Sequence, residues 1–407
     1  KTSVCQNLGM TSILIATICV VALALIFDFT NGFHDAANAT STVIATKSLK
    51  PKTAVLLSAV FNFLPAFVMG VAVANTISKI VNIDDLPKAT SGQVPIGLHV
   101  MLAALLGAIF WNFFTWSFGM PSSSSHALIG GLLGAGISAG GYDSISWGSV
   151  HKAVWAIFLS PLIALVVALL AVQLVKGIQK IFKLGDDHEF FRWGQITTSA
   201  LLSWGHGSND AQKSMGVIAA ALYAGGYLQA TDSANLQPST WVIFAAQIAI
   251  ALGTFSGGWR IIETMGLKLT HISRASGMAA NLGAITSING ATHFGIPVST
   301  THAAASSVIG SGLGSRHKVQ FGTIGRMVTA WVFTLPCAAG VGFVTYKTTT
   351  LPGVFTYLVP GLLIVALLGY GIRLMITSTT SEDIERALPK DVAEFIEMSD
   401  VDKSQNT

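Results

Sequence analysis

NGFHDAAN at residues 31–38 decides the fold, because the chain writes it twice: HGSNDAQK at 206–213 keeps the same frame 175 residues later. A second pair stays in step. GMPSSSSHA at 119–127 matches GIPVSTTHA at 295–303 with an offset of 176, and Trp147-Gly148 matches Phe321-Gly322, each opening a long apolar run. Motif, order and offset agree, so the chain is two copies of one unit.

Composition says which solvent the unit was built for. Of the 407 residues, 51% are hydrophobic and only 10% charged, and the mean hydropathy is +0.62. Soluble domains carry roughly 25% charged residues. The charges are also unevenly placed: eight of the 19 acidic residues follow Thr377, leaving 11 for everything before it. These values exclude a soluble enzyme, a nucleic-acid binder and a disordered scaffold, and indicate an all-α polytopic membrane protein. Residues 11–27 run into Asp28 and Asn31-Gly32 without a small-residue cleavage site, so they read as a first spanning helix rather than a signal peptide. Cys5, Cys19 and Cys337 show no metal or redox spacing and read as small packing residues.

A span needs about 20 apolar residues. Apolar runs fall at 13–46 (too long for one straight span, and interrupted), 53–77, 98–118, 121–138, 150–175, 196–222, 239–259, 275–293, 297–312, 324–346 and 354–376. This predicts about 11–12 transmembrane segments with broken helices or half-helices. The expected organisation is a first repeat at 13–175, a cytoplasmic linker at 176–195, a second repeat at 196–346 and a final helix at 354–376. An acidic, amphipathic cytoplasmic tail follows at 377–407, its apolar face marked by Ile384, Leu388 and Phe395.

Charge predicts that the copies are inverted. The loop at 47–52 holds Lys47, Lys50 and Lys52, whereas its counterpart at 225–238 has no Lys or Arg. Conversely, 138–148 has none while 313–318 has Arg316 and Lys318, and the linker holds Lys176, Lys180, Lys183 and Arg192. Basic loops stay in the cytoplasm, so each copy crosses an odd number of times. Inverted repeats are a recurring architecture of secondary transporters, with the substrate near the midplane at the repeat interface.

Both motif pairs have chemical content. Pro121 and Pro297 open apolar runs, and proline suits the first turn of a helix. Ser122, Ser123, Ser124 and Ser125, and Ser299, Thr300 and Thr301, are then expected in the first turn of each helix. Free backbone N–H groups and the positive dipole end favour an anion there. Two such ends converging would give a donor-rich oxyanion site, weakly charged because 119–137 and 295–312 contain no Lys or Arg. His126 and His302 adjoin these runs, as helix–helix hydrogen-bond partners or as proton carriers. Asp35 and Asp210 occupy equivalent positions in apolar segments, where an ionisable residue is costly and functional by default. With neighbouring amides they form a ligand set for a hard monovalent cation, Na⁺ by analogy with broken-helix transporters. Lys213 breaks the symmetry with Asn38, and Asp28 aligns with Ser203, outside the repeat. No Gly-X-Ser-X-Gly elbow accompanies the Ser-His adjacency. The Gly130-to-Gly134 spacing reads as a close helix contact, and Gly310, Gly312 and Gly314 are not a nucleotide fingerprint. No enzyme is expected.

Read together, NGFHDAANA, HGSNDAQKSMG, GMPSSSSHA and GIPVSTTHA, with GGWRIIETMG at 257–266, resemble the PiT family of inorganic phosphate transporters over about 28–345. His34 and Lys213 depart from the family's usual Asn, as in its bacterial branch. The resemblance implies a phosphate symporter driven by Na⁺ in some members and H⁺ in others. It places phosphate on Ser122 to Ser125, Ser299 to Thr301 and Gln212. It places sodium on Asp35, Asn38 and Asp210, to which the flanking Asn31 and Asn209 add amide oxygens. The alternatives are a proton-coupled phosphate or metal-phosphate symporter and a permease for sulfate or another oxyanion. Expected partners are inorganic phosphate and the lipid bilayer of the cell membrane, with Na⁺ as coupling ion and no organic cofactor or nucleic acid. A homodimer is compatible with the family.

Inversion is testable by labelling. With the native cysteines replaced, a cysteine at Lys50 should react only with a reagent on the cytoplasmic side and one at Gln237 only with a reagent outside. Labelling of both from one side would refute it.

Overall fold

The computed structural model describes residues 2–90, 93–233 and 235–388, with side chains from residue 9 onward. It is helical, without strands among the described residues. The first copy runs α1 (Thr2–Ala45), α2 (Pro51–Phe63), α3 (Ala72–Ser78), α4 (Ile96–Ser117), α5 (Ser124–Gly140) and α6 (Trp147–Phe182). The second repeats the order with α7 (Glu189–Ala224), α8 (Thr240–Ser256), α9 (Trp259–Leu267), α10 (Arg274–His293), α11 (Thr300–Ser315) and α12 (Phe321–Thr348). Two helices follow, α13 (Phe355–Ile376) and α14 (Ser381–Ala387).

Among the described residues, five helices are long and apolar enough to cross a membrane: Gly9–Ala45 within α1, and α4, α6, α12 and α13. Two helix pairs pass only when taken together, each with a sharp bend, α2 against α3 by 85° and α8 against α9 by 68°, as in a broken span or a re-entrant loop. Two of the other apolar runs form helices too short to span, whereas α7 and α10, with 36 and 20 residues, have the length. At 1.5 Å per residue, α5 and α11, with 17 and 16 residues, reach only about 25 Å against a hydrocarbon core of about 30 Å.

Two sequence readings need correction. The run at 13–46 is not interrupted; α1 is one continuous helix, since Gly32 is tolerated inside it and serves a packing contact instead. Within 176–195, α6 continues to Phe182 and α7 starts at Glu189. Pro121 and Pro297 do not open their helices. Each follows the end of the preceding helix, where Gly119 (φ 61°) and Gly295 (φ 65°) adopt the left-handed conformation that glycine favours. Backbone bonds from Met120 to Thr115 and Ile296 to Ala291 close these C-terminal turns at 3.0 and 2.9 Å. Ser123 and Ser299 are the N-caps, their hydroxyls accepting the N–H of His126 and His302 at 3.2 Å each. A capping serine can satisfy a free N–H, which proline cannot, so the helix starts at the serine. Ser122, Ser123 and Ser299 therefore precede the first turn.

The loops sort to two ends. At one, Arg192 and Gln195 bond the segment around Ser48, and Lys176 Nζ bonds the carbonyl of Gly314 at 2.7 Å. The basic segments of both copies thus gather together. At the other, Asp84 accepts from the Tyr223 hydroxyl and the Ser233 N–H, both at 2.8 Å, and Asn82 N bonds the Ser144 carbonyl at 2.8 Å. Burial works to raise the Asp84 pKa, but the Ser233 and Tyr223 donors overcome it and hold the carboxyl below its usual value. Of the tail, α14 lies at the basic end, with Ile384 buried in a cluster that includes Leu49, Val55 and Ile262. Phe395 lies outside the described residues.

The copies interlock through glycine. The half-helix α5 packs along α12, and α11 along α6, so each copy's short helix lies on the closing helix of the other. The Gly130 and Gly134 contact is present: a Cβ on Gly134 would stand 1.9 Å from the Ala339 carbonyl oxygen. At the equivalent position a Cβ on Gly310 would stand 2.4 Å from the Leu165 carbonyl oxygen. Overpacking such a contact costs typically about 1–3 kcal/mol. Gly134→Ala is expected to lower the thermal unfolding temperature in detergent. Gly148→Ala, at a helical position with nothing within 4 Å, should leave it level or slightly raised. Equal behaviour of the two variants would contradict this packing.

Candidate functional site

The site lies where α1 and α7, the two motif-bearing helices, meet the N-termini of α5 and α11. Asp35 and Asp210 are both buried. Around Asp35 the half-helices supply hydroxyls: Ser124 to Oδ2 at 3.2 Å, Thr300 to Oδ2 at 3.2 Å and Thr301 to Oδ1 at 3.0 Å. Thr300 Oγ1 stands equally 3.2 Å from Asp210 Oδ2, so one hydroxyl proton is shared between the two carboxylates. The repeat exchanges partners across its axis. Asn31, on α1, donates to Asp210 Oδ2 at 3.3 Å, while its counterpart His206, on α7, brings Nε2 to 3.8 Å from Asp35 Oδ2 and 3.5 Å from Asp210 Oδ2.

Lys213 is completely buried and sets the charge of the site. Its ammonium pairs with Asp210 Oδ1 at 2.6 Å and donates to the Val298 carbonyl at 2.9 Å and to the Ser125 hydroxyl. A carboxylate or ammonium buried without a partner costs several kcal/mol. With neutral imidazoles, two carboxylates and one ammonium leave one net negative charge, which one monovalent cation would cancel. The geometry offers it a place. Asn62 Nδ2 donates to Thr254 at 2.7 Å, which turns its Oδ1 to accept from His206 Nδ1 at 3.1 Å. In the neutral ring, His206 Nε2 then presents a lone pair toward both carboxylates. Ligand atoms of Asp35, His206 and Asp210 all lie within 4.8 Å of one another.

The half-helix ends also meet each other. Ser125 donates to the Val298 carbonyl at 2.8 Å, and the His126 and His302 rings stand edge to face at 4.6 Å. Ser122 Oγ lies 2.7 Å from Thr115 Oγ1 and 3.4 Å from His34 Nε2, while His34 Nδ1 lies 2.8 Å from Asp35 Oδ1. Ser124 donates to Asn31 Oδ1 at 2.6 Å. Asn38 donates to Thr300 and Thr301 at 3.2 and 3.3 Å, and its Oδ1 has no partner among the described residues.

Of the residues singled out from sequence, Ser122 to Ser125, Ser299 to Thr301, Asp35, Asn31, Asn38 and Asp210 are brought together. Two lie aside. Asn209 bonds Thr292, the Ile296 carbonyl and the Val298 N–H, and so braces the approach to α11 rather than facing the carboxylates. Gln212 Oε1 accepts the N–H groups of Val73 and Ala74 at 2.9 and 3.4 Å, capping α3. Sequence reasoning gave His206 no role. Its signal was its alignment with Asn31, a residue already assigned to the site.

The chain resembles known proteins over most of its length. A probable low-affinity inorganic phosphate transporter of Bacillus subtilis (strain 168) is 46% identical over 338 residues, covering 83% of this chain and 98% of that protein. One of Mycobacterium leprae (strain TN) is also 46% identical, over 81% of this chain and 77% of its own length. A putative phosphate permease of Thermococcus kodakarensis is 28% identical over 79% of this chain and 95% of the permease. A solved structure, described as "The sodium-dependent phosphate transporter", shares the fold with a TM-score of 0.71 at 21% identity, covering 83% of this chain and 100% of that one. The model of the phosphate transporter family matches residues 31–342, from the first motif to the closing helix of the second copy, and the chain belongs to that family.

Proposed function

We propose that the protein is a sodium-coupled symporter of inorganic phosphate, working by alternating access in the cell membrane with its basic loops and tail on the cytoplasmic side. One observation carries this reading: the hydroxyls suited to bind an oxyanion are donated to the carboxylates suited to bind a cation. Ser124, Thr300 and Thr301 point at Asp35, and Thr300 also at Asp210. While the carboxylates keep their charge, they hold these donors. A sodium ion drawn to Asp35 and Asp210, with Asn31 and Asn38 as amide ligands, takes over the oxygen lone pairs. The hydroxyls of both half-helix ends are then free for phosphate, helped by the positive end of each helix dipole, about half a charge. Each ion prepares the site for the other.

The names of the relatives support phosphate, and the sodium dependence of the structural neighbour supports sodium. A second reading rests on the Asp35, His206 and Asp210 group, whose mixed oxygen and nitrogen donors also suit a divalent metal carried with phosphate.

Labelled phosphate uptake into proteoliposomes separates the readings. Accumulation above equilibrium is expected with an inward sodium gradient and not with a pH gradient alone. Accumulation only with the pH gradient would replace sodium by protons, and a requirement for Mg²⁺ or Zn²⁺ would favour the metal-phosphate reading. Competition by sulfate equal to that by unlabelled phosphate would point to a general oxyanion permease.

Asp35→Asn is expected to abolish the sodium dependence of uptake, because it removes the charge that draws the ion. Thr300→Ala should raise the apparent phosphate KM about tenfold, the loss of one good hydrogen bond to a charged group. Sodium dependence kept in the first variant, or a KM unchanged in the second, would move the site elsewhere.

A further inference from the structure

The turns that lead into the two half-helices are each held by the bent span of the other copy. GVAVANT at 70–76 aligns with GWRIIET at 258–264, an offset of 188. Thr76 Oγ1, on α3, donates to the carbonyl of Gly295 at 2.7 Å, and its equivalent Thr264 Oγ1, on α9, donates to the carbonyl of Gly119 at 2.9 Å. The acceptors are themselves equivalent, the left-handed glycines that follow α4 and α10. The docking is matched position by position: a Cβ on Gly295 would stand 3.0 Å from the Ala72 Cβ, and one on Gly119 3.8 Å from the Arg260 Cβ.

Each hydroxyl has a second acceptor in its own helix, the Ala72 carbonyl at 3.3 Å for Thr76 and the Arg260 carbonyl at 3.1 Å for Thr264. Letting go of the glycine therefore strands no donor, and the contact opens at little cost. It also lies where two packed groups meet. The helix α3 packs on α7 and α9 on α1, whereas α5 packs on α4 and α12 and α11 on α6 and α10. The connection onward is short: five residues separate Gly119 from Ser124 and Gly295 from Thr300, with a proline in each to fix the backbone. A shift of either glycine is thus passed to the hydroxyls that face Asp35.

The two contacts sit toward opposite ends. Beyond α3, Ile80 and Asn82 bond Ser146 and Ser144, at the end away from the basic loops; beyond α9, Leu269 and Thr270 bond Gln320 and Lys318, at the basic end. They are also unequal. Arg260 Nη1 donates to the Ser117 carbonyl at 2.9 Å, and its guanidinium lies 5.5 Å from the centre of the Trp116 ring. Ala72, at the equivalent position, offers neither contact.

We propose that Thr76 and Thr264 are positioning residues of transport, an outer and an inner latch that hold the half-helix starts against the motif helices and release them one at a time. Arg260 makes the inner latch the stronger, so the empty protein opens outward more readily than inward. This inference rests on the alternating access proposed above and not on which ions are carried.

Side-specific cysteine labelling in sealed vesicles without sodium or phosphate tests it, with the native cysteines replaced. Ser122→Cys and Val298→Cys, both at buried positions three residues beyond the latched glycines, are the reporters. Thr264→Val should speed reaction of the Ser122→Cys reporter with a membrane-impermeant maleimide from the cytoplasmic side about two- to fivefold. That is the lower part of the range for one neutral hydrogen bond, because the hydroxyl has its second acceptor. Reaction from outside should stay as it was. Thr76→Val should do the same for the Val298→Cys reporter from outside only, and Arg260→Ala should act like Thr264→Val. Thr264→Ser and Thr76→Ser keep the donor and should keep the slow rates, which a purely steric role for the threonines would not predict. Unchanged rates in both valine variants, or equal increases from both sides, would overturn the latches. Gradient-driven phosphate uptake by the same preparation with both threonines in place reports on the transport reading separately.

Discussion

A carboxylate held away from water must be given donors or a counter-charge, and most of this structure can be read as the means of supplying them to Asp35 and Asp210. A regular helix has no spare N–H groups in its middle, so each acid takes one side-chain partner from its own helix, His34 for Asp35 and Lys213 for Asp210, and needs further donors from elsewhere. The donors come from the starts of two other helices, α5 and α11, whose hydroxyls at Ser124, Thr300 and Thr301 reach Asp35. That demand explains why α5 and α11 are half-helices. A helix that spanned the bilayer would put its N-terminus at the surface, whereas these begin beside the buried acids. The turns at Gly119 and Gly295 reverse the chain, and the capping serines that follow stabilise a helix start beside the acids.

Packing follows from the same placement. A half-helix buries all its sides, so its neighbours must come close, and small residues permit it. Gly130, Gly131 and Gly134 meet the backbones of α12 and α4, and Gly310 meets α6. Because α5 rests on the second copy and α11 on the first, the donors of one copy move with the closing helix of the other. Rocking the copies against each other would therefore alter the distance between hydroxyls and carboxylates. This is how the proposed alternating access would act on the site.

Much of this was legible in the sequence because the repeat wrote it twice. The equivalence of Asp35 with Asp210, and of Ser123 with Ser299, follows from alignment alone, and the basic loops told the copies to be inverted. Proline misled, since Gly-X-Pro can precede a helix start or follow a helix end, and only the capping bonds of Ser123 and Ser299 decide between them. Gln212, which the resemblance places at phosphate, has its Oε1 on the Val73 and Ala74 N–H groups at the start of α3, a contact the sequence did not announce. His206 was hidden because a histidine aligned with an asparagine reads as a departure from symmetry. In space the two side chains do parallel work, each reaching toward a carboxylate that the other copy contributes to the site. Asp28 and Lys213 are departures of a different kind, since they add charges that no counterpart mirrors.

The central claim is that the carboxylates hold the anion's hydrogen-bond donors until a cation releases them, so the two ligands must tighten each other's binding by the same factor. Isothermal titration of phosphate into the purified protein, in sodium chloride and in choline chloride, measures that coupling directly. The account expects sodium to strengthen phosphate binding by about five- to 150-fold, the usual span of such couplings, and phosphate to strengthen sodium binding equally. Equal phosphate affinity in the two salts would contradict it.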